Sequence, residues 1–282
     1  MPIVDLDDIP TRYESIGSGP AVLMFSPGGF DSSLENWTTF GRYKDLGFIP
    51  ALSQSYTCIV FDRRESGRSG GRLERLSWDK YVAQAVALLD HLGIEDAHAM
   101  GGCVGCSTAA LLAVAHPQRV RSMVLFSPAG GVTYRAAQQR RFTQHLGFVA
   151  EHGLQAVVEL ARSTGAGFSK DPRVGPWAAA LRTDDAFAAS YAGRDAGRYA
   201  TIVSGTARLL FDRDTVPGPE PEDLQVLDVP ALIVPGEDLS HTRSAARYLQ
   251  ECLPDNEYWD VPVAEQTPES SQRRVLDFLA RH

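Results

Sequence analysis

The run Gly101-Gly102-Cys103-Val104-Gly105 constrains this chain more than any other stretch. It joins a strand-like segment, Ala97-His98-Ala99-Met100, to the helix-forming residues 106–114. A strand that turns sharply into a helix brings two backbones together around the turn. Only small residues fit two positions before and two positions after the centre, and here both are glycine. The central residue, Cys103, then lies at the start of a helix, whose unpaired N–H groups favour the thiolate over the thiol. Cys103 is the candidate nucleophile.

Strand-like and helix-like segments alternate along much of the chain. Ala21-Val22-Leu23-Met24-Phe25 is a short apolar run that ends in Ser26-Pro27-Gly28-Gly29, and residues 56–61 form a second run. A helical period covers 81–92, and 122–126 reads as another strand. Two strands, 231–234 and 257–261, bracket a helix over 242–252, and a last helix runs over about 270–280. This alternation predicts an α/β fold: a mostly parallel sheet flanked by helices on both faces. Residues 132–222 break the pattern. They are rich in Ala, Arg and other helix formers, and they close with Val216-Pro217-Gly218-Pro219-Glu220-Pro221. The expected organisation is a core over 1–131 and 223–282 with a helical cap, 132–222, above the carboxyl edge of the sheet, where sites in open α/β sheets lie.

With 282 residues, 44% of them hydrophobic, the chain can bury a full core without staples. Its net charge of -8 argues against nucleic acid and anionic membrane as partners, and leaves a small-molecule substrate. The start, Met1-Pro2-Ile3-Val4-Asp5-Leu6-Asp7-Asp8, lacks the basic and apolar regions of a signal peptide, and no apolar stretch is long enough to span a bilayer. Cys58, Cys103, Cys106 and Cys252 do not resemble a secreted disulfide framework, so a reducing cytoplasm is expected. Cys103 and Cys106 also form a Cys-x-x-Cys pair. The surrounding order of elements disfavours a redox motif, and Cys106 packs as a small hydrophobe. Without paired histidines at ligand spacing, neither a metal nor another cofactor is expected.

Four pieces in order resemble the α/β-hydrolase family over nearly the whole length of the chain. Phe25-Ser26-Pro27-Gly28-Gly29-Phe30 resembles its oxyanion loop, without the common leading histidine. Phe61-Asp62-Arg63-Arg64-Glu65-Ser66-Gly67-Arg68-Ser69 resembles its Asp-x-Arg-Gly-x-Gly-x-Ser turn, with Glu65 in place of a glycine. The Cys103 turn matches its nucleophile elbow, where serine is usual, and Val234-Pro235-Gly236-Glu237-Asp238 resembles the loop that carries the acid. The resemblance implies Cys103 as nucleophile, Asp238 as a catalytic or site-lining acid, and an oxyanion hole built from the N–H of Val104 and of Gly29 or Phe30, with Gly28 in the same loop.

One piece of the family pattern is missing. After the last strand the family carries a histidine that takes the nucleophile's proton, whereas here the region reads Val261-Pro262-Val263-Ala264-Glu265-Gln266-Thr267-Pro268-Glu269. A thiol tolerates this loss better than a hydroxyl, because its pKa of about 8.5 can be lowered into the physiological range. His241, three residues after Asp238, and Glu265, near the vacated position, are the candidate bases. An imidazole is the better match to neutral pH, yet the acid loop normally lies behind the missing histidine. His145 and His152 in the cap are weaker candidates, while His91, His98 and His116 read as structural. Arg63 and Arg64 read as solvated or ion-paired.

Two functions fit these residues. One is a cofactor-free hydrolase in which Cys103 attacks a small apolar or aromatic ester, thioester or lactone. The other is a non-hydrolytic or ligand-binding protein on the same scaffold with an incomplete triad.

Overall fold

A computed structural model describes residues 2–282. Among these, eight strands form one sheet: β1 (Ile3–Leu6), β2 (Ile9–Gly17), β3 (Ala21–Phe25), β4 (Thr57–Phe61), β5 (Ala97–Gly102), β6 (Val120–Phe126), β7 (Ala231–Val234) and β8 (Asn256–Tyr258). Their order across the sheet is β1-β2-β4-β3-β5-β6-β7-β8. From β4 to β8 every pairing is parallel, and only the β1–β2 hairpin and the β2–β4 contact are antiparallel. This is the expected mostly parallel α/β sheet. Strands β3, β5 and β6 occupy its middle, and nearly all of their residues are buried, as strands covered on both faces are.

The hairpin at the start of the chain was not anticipated. It turns through Asp7-Asp8, both with positive φ (54° and 59°), the geometry that a tight hairpin needs at both central positions. Burial alternates along both strands, because one edge of the sheet faces solvent there. Strand β8 is also shorter than expected and ends at Tyr258 rather than 261.

The backbones approach closely at the elbow. The end of β5 runs into Cys103 and then into the helix Gly105–Ala115. A Cβ on Gly101 would lie 2.5 Å from the backbone of Gly105 and Cys106, and one on Gly105 would lie 2.2 Å from the Phe25 carbonyl oxygen. Strand β3, strand β5 and the helix therefore meet backbone to backbone.

Residues between β6 and β7 contribute helices to the described structure. A long helix, Val132–Thr164, is broken at Gly153 (φ 77°), and Ala178–Thr183, Asp185–Ala192 and Ala196–Leu210 follow. The expected boundary at 222 falls inside one more helix, Pro221–Gln225. Among the described residues, no helix is long and apolar enough to cross a membrane.

Replacing Gly105 by Ala should lower stability by about 2–3 kcal/mol, since the added methyl meets backbone that cannot turn aside. Chemical denaturation reads this as a lower midpoint at constant slope. An unchanged midpoint would show that strand and helix can separate without cost.

Candidate active site

Cys103 has a φ of 57°, a left-handed conformation that a non-glycine residue adopts only when its surroundings impose it. Backbone hydrogen bonds to the neighbouring strand and its following loop hold it there. Its N–H donates to the Phe126 carbonyl (3.2 Å), and its carbonyl accepts from the Ala129 N–H (3.2 Å). Both partners follow from β6, the neighbouring strand. The side chain is buried, with Cys103 only 8% exposed. It belongs to an apolar cluster with Phe30, Tyr134, Phe142, Phe168 and Phe211.

His241 lies beside the thiol. The loop after β7 folds back at Gly236, where a Cβ would come within 2.5 Å of the His241 Cβ. Asp238 organises the fold-back by accepting from the backbone N–H of Ser240 (2.7 Å) and of His241 (2.9 Å). The same carboxylate holds His241 Nδ1 at 2.8 Å and 2.9 Å. That contact fixes the ring and leaves Nε2 as the free nitrogen. Nε2 is buried without a hydrogen-bond partner, and the Cys103 thiol is the group whose charge acts most strongly on the ring. The carboxylate and the imidazole thus come from one loop, three residues apart.

The electrostatics follow from this contact. Burial alone would raise the Cys103 pKa, but the adjacent His241 and the backbone hydrogen bonds of Gly28 and Val104 outweigh it, and the thiol titrates below its ordinary value. Burial likewise opposes the charge on His241, yet the Cys103 charge and the Asp238 carboxylate hold its pKa up at about 9. Both shifts favour a thiolate–imidazolium pair. Asp238 is held below the usual carboxylate range against the pull of its burial, chiefly by His241.

Glu265 is not brought to this site. It is exposed, at the end of the short turn Val263–Glu265. The buried residue of that region is Gln266, whose Nε2 donates to the carbonyls of Pro235 and Val261 (2.9 Å each). Its Oε1 accepts from the Arg42 guanidinium at 2.7 Å, and Arg42 also donates to Ser127 Oγ and lies 5.1 Å from the Phe126 ring. Sequence reading missed both Arg42 and Gln266, because neither carries a motif.

In the loop after β3, the N–H that reaches the thiol is that of Gly28, before the expected Gly29 or Phe30. The Gly29 carbonyl accepts from Arg63 and from Ser32 Oγ, and the Phe30 carbonyl accepts from Ser66 Oγ at 2.8 Å. The Phe30 ring packs at 5.3 Å on Phe168 and at 5.5 Å on Phe142. Arg63 is buried, paired with the buried Glu65 and stacked on Tyr81 at 4.3 Å, and Arg64 pairs with Glu74. The Glu65 that departs from the family pattern therefore neutralises the arginine under the loop. His145 is buried but bonds to Tyr199 Oη and the Arg173 carbonyl, and His152 lies near Glu151. Cys106 is buried with its sulfur on the carbonyls of Gly101 and Phe126, and the four cysteines are unpaired. Among the described residues, no cluster of His, Cys, Asp or Glu could hold a metal.

With this geometry in hand, comparison with known proteins gives a consistent class. A sequence model described as the alpha/beta hydrolase fold matches residues 21–156. The chain is 34% identical over 159 residues to the dihydrolipoyllysine-residue acetyltransferase component of the acetoin cleaving system of Cupriavidus necator, covering 55% of this chain and 39% of that protein. It is 32% identical over 127 residues to a 2-hydroxy-6-oxo-6-phenylhexa-2,4-dienoate hydrolase of Comamonas testosteroni, covering 45% and 42%. These matches span about two-fifths of the length of the curated relatives. Among solved structures, the enol-lactonase from Burkholderia xenovorans LB400 aligns with a TM-score of 0.65 at 19% identity, over 99% of this chain and 100% of that one. The chain has the α/β-hydrolase fold.

The coupled pair makes a prediction that needs no substrate. At pH 7 the protein should show thiolate absorbance near 240 nm that is lost in Cys103→Ser and strongly reduced in His241→Ala. In Glu265→Gln it should be unchanged. In the wild type, deprotonation of His241 as pH rises through about 9 removes the positive partner of the thiolate. A Glu265→Gln variant that lost the signal would return that carboxylate to the site.

Proposed function

We propose that this chain is a hydrolase of small substrates that uses Cys103 as its nucleophile, His241 as its base and Asp238 as the group that orients the base. The observation that carries this reading is the buried contact of the Cys103 thiol with a His241 ring whose Nδ1 is held by Asp238. The thiolate attacks the substrate's carbonyl carbon, and the oxyanion that forms is bound by the N–H groups of Gly28 and Val104. As the tetrahedral intermediate collapses, the His241 imidazolium gives its proton to the leaving group, and a thioester to Cys103 remains. His241, now neutral, takes a proton from water as the water attacks the thioester. Collapse of the second intermediate releases the acid and restores the thiolate–imidazolium pair.

A small apolar or aromatic ester, thioester or lactone fits the surroundings. Phe30, Tyr134, Phe142, Phe168 and Phe211 pack on one another in the same apolar cluster as Cys103, and four of them come from residues 132–222. We assign that helical segment the role of a cap. The names of the similar proteins, a dienoate hydrolase and an enol-lactonase, agree with small acyl-type substrates. The non-hydrolytic alternative rested on the missing histidine, and His241 now offers a base in its place. Four unpaired cysteines suit a reducing compartment, in keeping with a cytoplasmic protein.

Cys103→Ala should abolish hydrolysis of p-nitrophenyl acetate, and Asp238→Asn should lower kcat by about 10²–10⁴-fold through loss of ring orientation. Mass spectrometry of the wild-type enzyme quenched during turnover should locate the acyl group on Cys103. Full activity in Cys103→Ala would refute the assignment of the nucleophile.

A further inference from the structure

Gly28 faces the thiol from the oxyanion loop, and one side chain outside the triad decides where its N–H points. The Pro27–Gly28 peptide carries the Gly28 N–H at one end and the Pro27 carbonyl at the other. In a trans peptide these two groups point in opposite directions, so fixing one aims the other. The Pro27 carbonyl accepts from Asn36 Nδ2 at 2.7 Å. The same nitrogen donates to the Asp31 carbonyl, also at 2.7 Å, which closes the loop from Pro27 to Asp31 on a single amide. Two carbonyl acceptors at this distance require the nitrogen, and not the oxygen, of the amide to face the loop. The packing leaves no slack: Gly28 has a φ of 119°, and a Cβ there would lie 2.4 Å from Asn36 Nδ2. Ser33 Oγ meets the Asn36 oxygen at 3.4 Å on the far side.

We infer that Asn36 is a positioning residue, which aims the Gly28 N–H at the sulfur and at the oxyanion that forms beside it. This rests on the reading of Cys103 as nucleophile. Arg63, Ser32 and Ser66 hold the following carbonyls of the loop, but Asn36 alone of these grips the peptide whose N–H meets the thiol. An acceptor in place of the Asn36 nitrogen would face two carbonyl oxygens and repel both. The peptide would then be free to turn, and the thiolate would lose one of its donors.

The test is Asn36→Asp, which keeps the shape of the side chain and removes the donor. Hydrolysis of p-nitrophenyl acetate should lose about 10²-fold in kcat with KM little changed, the cost of one misdirected oxyanion donor. The midpoint of the 240 nm thiolate titration, taken as the difference from Cys103→Ser, should move to higher pH. Because the new carboxylate also opposes the thiolate, the neutral Asn36→Ala variant is titrated beside it, and a role confined to packing would leave the Ala midpoint in place. If the Asp variant does not fold, Asn36→Ala is read by the same two measurements. Unmoved midpoint and kcat in a folded variant overturn the inference while the wild-type signal stands. Absence of thiolate at pH 7 in the wild type itself would instead overturn the nucleophile reading beneath it.

Discussion

Everything at the site hangs on the backbone of Cys103, held at a positive φ where β5 becomes a helix. Left to itself, a cysteine would relax from this conformation at a gain of about 1–3 kcal/mol. It cannot do so, because its N–H and carbonyl are tied to residues that follow β6, and the glycines on either side leave no room to shift. The same turn aims the sulfur away from the sheet and puts the Val104 N–H beside it. The strain is thus held by the middle strands of the sheet, the most buried part of the fold.

Asp238 and His241, the proposed acid and base, reach the sulfur by a short path. A histidine on the loop after the last strand would approach from one element while the acid stood behind it on another. Here Asp238 and His241 share one turn, and the carboxylate performs two tasks: it caps the backbone of the turn and it orients the ring. Compactness comes from Gly236, which lets the chain fold back against His241. The space near the loop after β8 is occupied by Gln266 and Arg42, which tie that loop to the acid loop at Pro235. Arg42 has only neutral hydrogen-bond partners in this arrangement, and burial lowers its pKa.

A thiol suits such a site better than a hydroxyl would. In the proposed mechanism the pair with His241 would hold the proton on the ring before substrate arrives, so that attack by the thiolate needs no prior deprotonation. The cost is that two charges are buried together in an apolar cluster of aromatic rings. The pair tolerates this because Asp238 stands on one side of the imidazolium and the N–H groups of Gly28 and Val104 stand on the other side of the thiolate.

Local sequence was enough to specify the elbow, the parallel sheet and the helical stretch after β6, because each depends on contacts between residues close in the chain or on a simple period. Glycines two before and two after Cys103 report a backbone approach that is built into a strand–helix turn. Apolar runs report strands buried on both faces. Asp238 and His241 were visible as neighbours, but whether their loop reached the sulfur was open, since that depends on how β7 is registered against β6 and on the fold-back at Gly236. Tertiary structure alone made Glu265 a surface residue and Gln266 a buried one, a difference of one position in a loop with no period. It alone put the Gly28 N–H, and not that of Gly29 or Phe30, beside the thiol, with the other end of that peptide held by an Asn36 amide that carries no motif. Chain-local patterns encode elements, whereas the direction of a single N–H is set by whichever distant side chain holds the other end of its peptide.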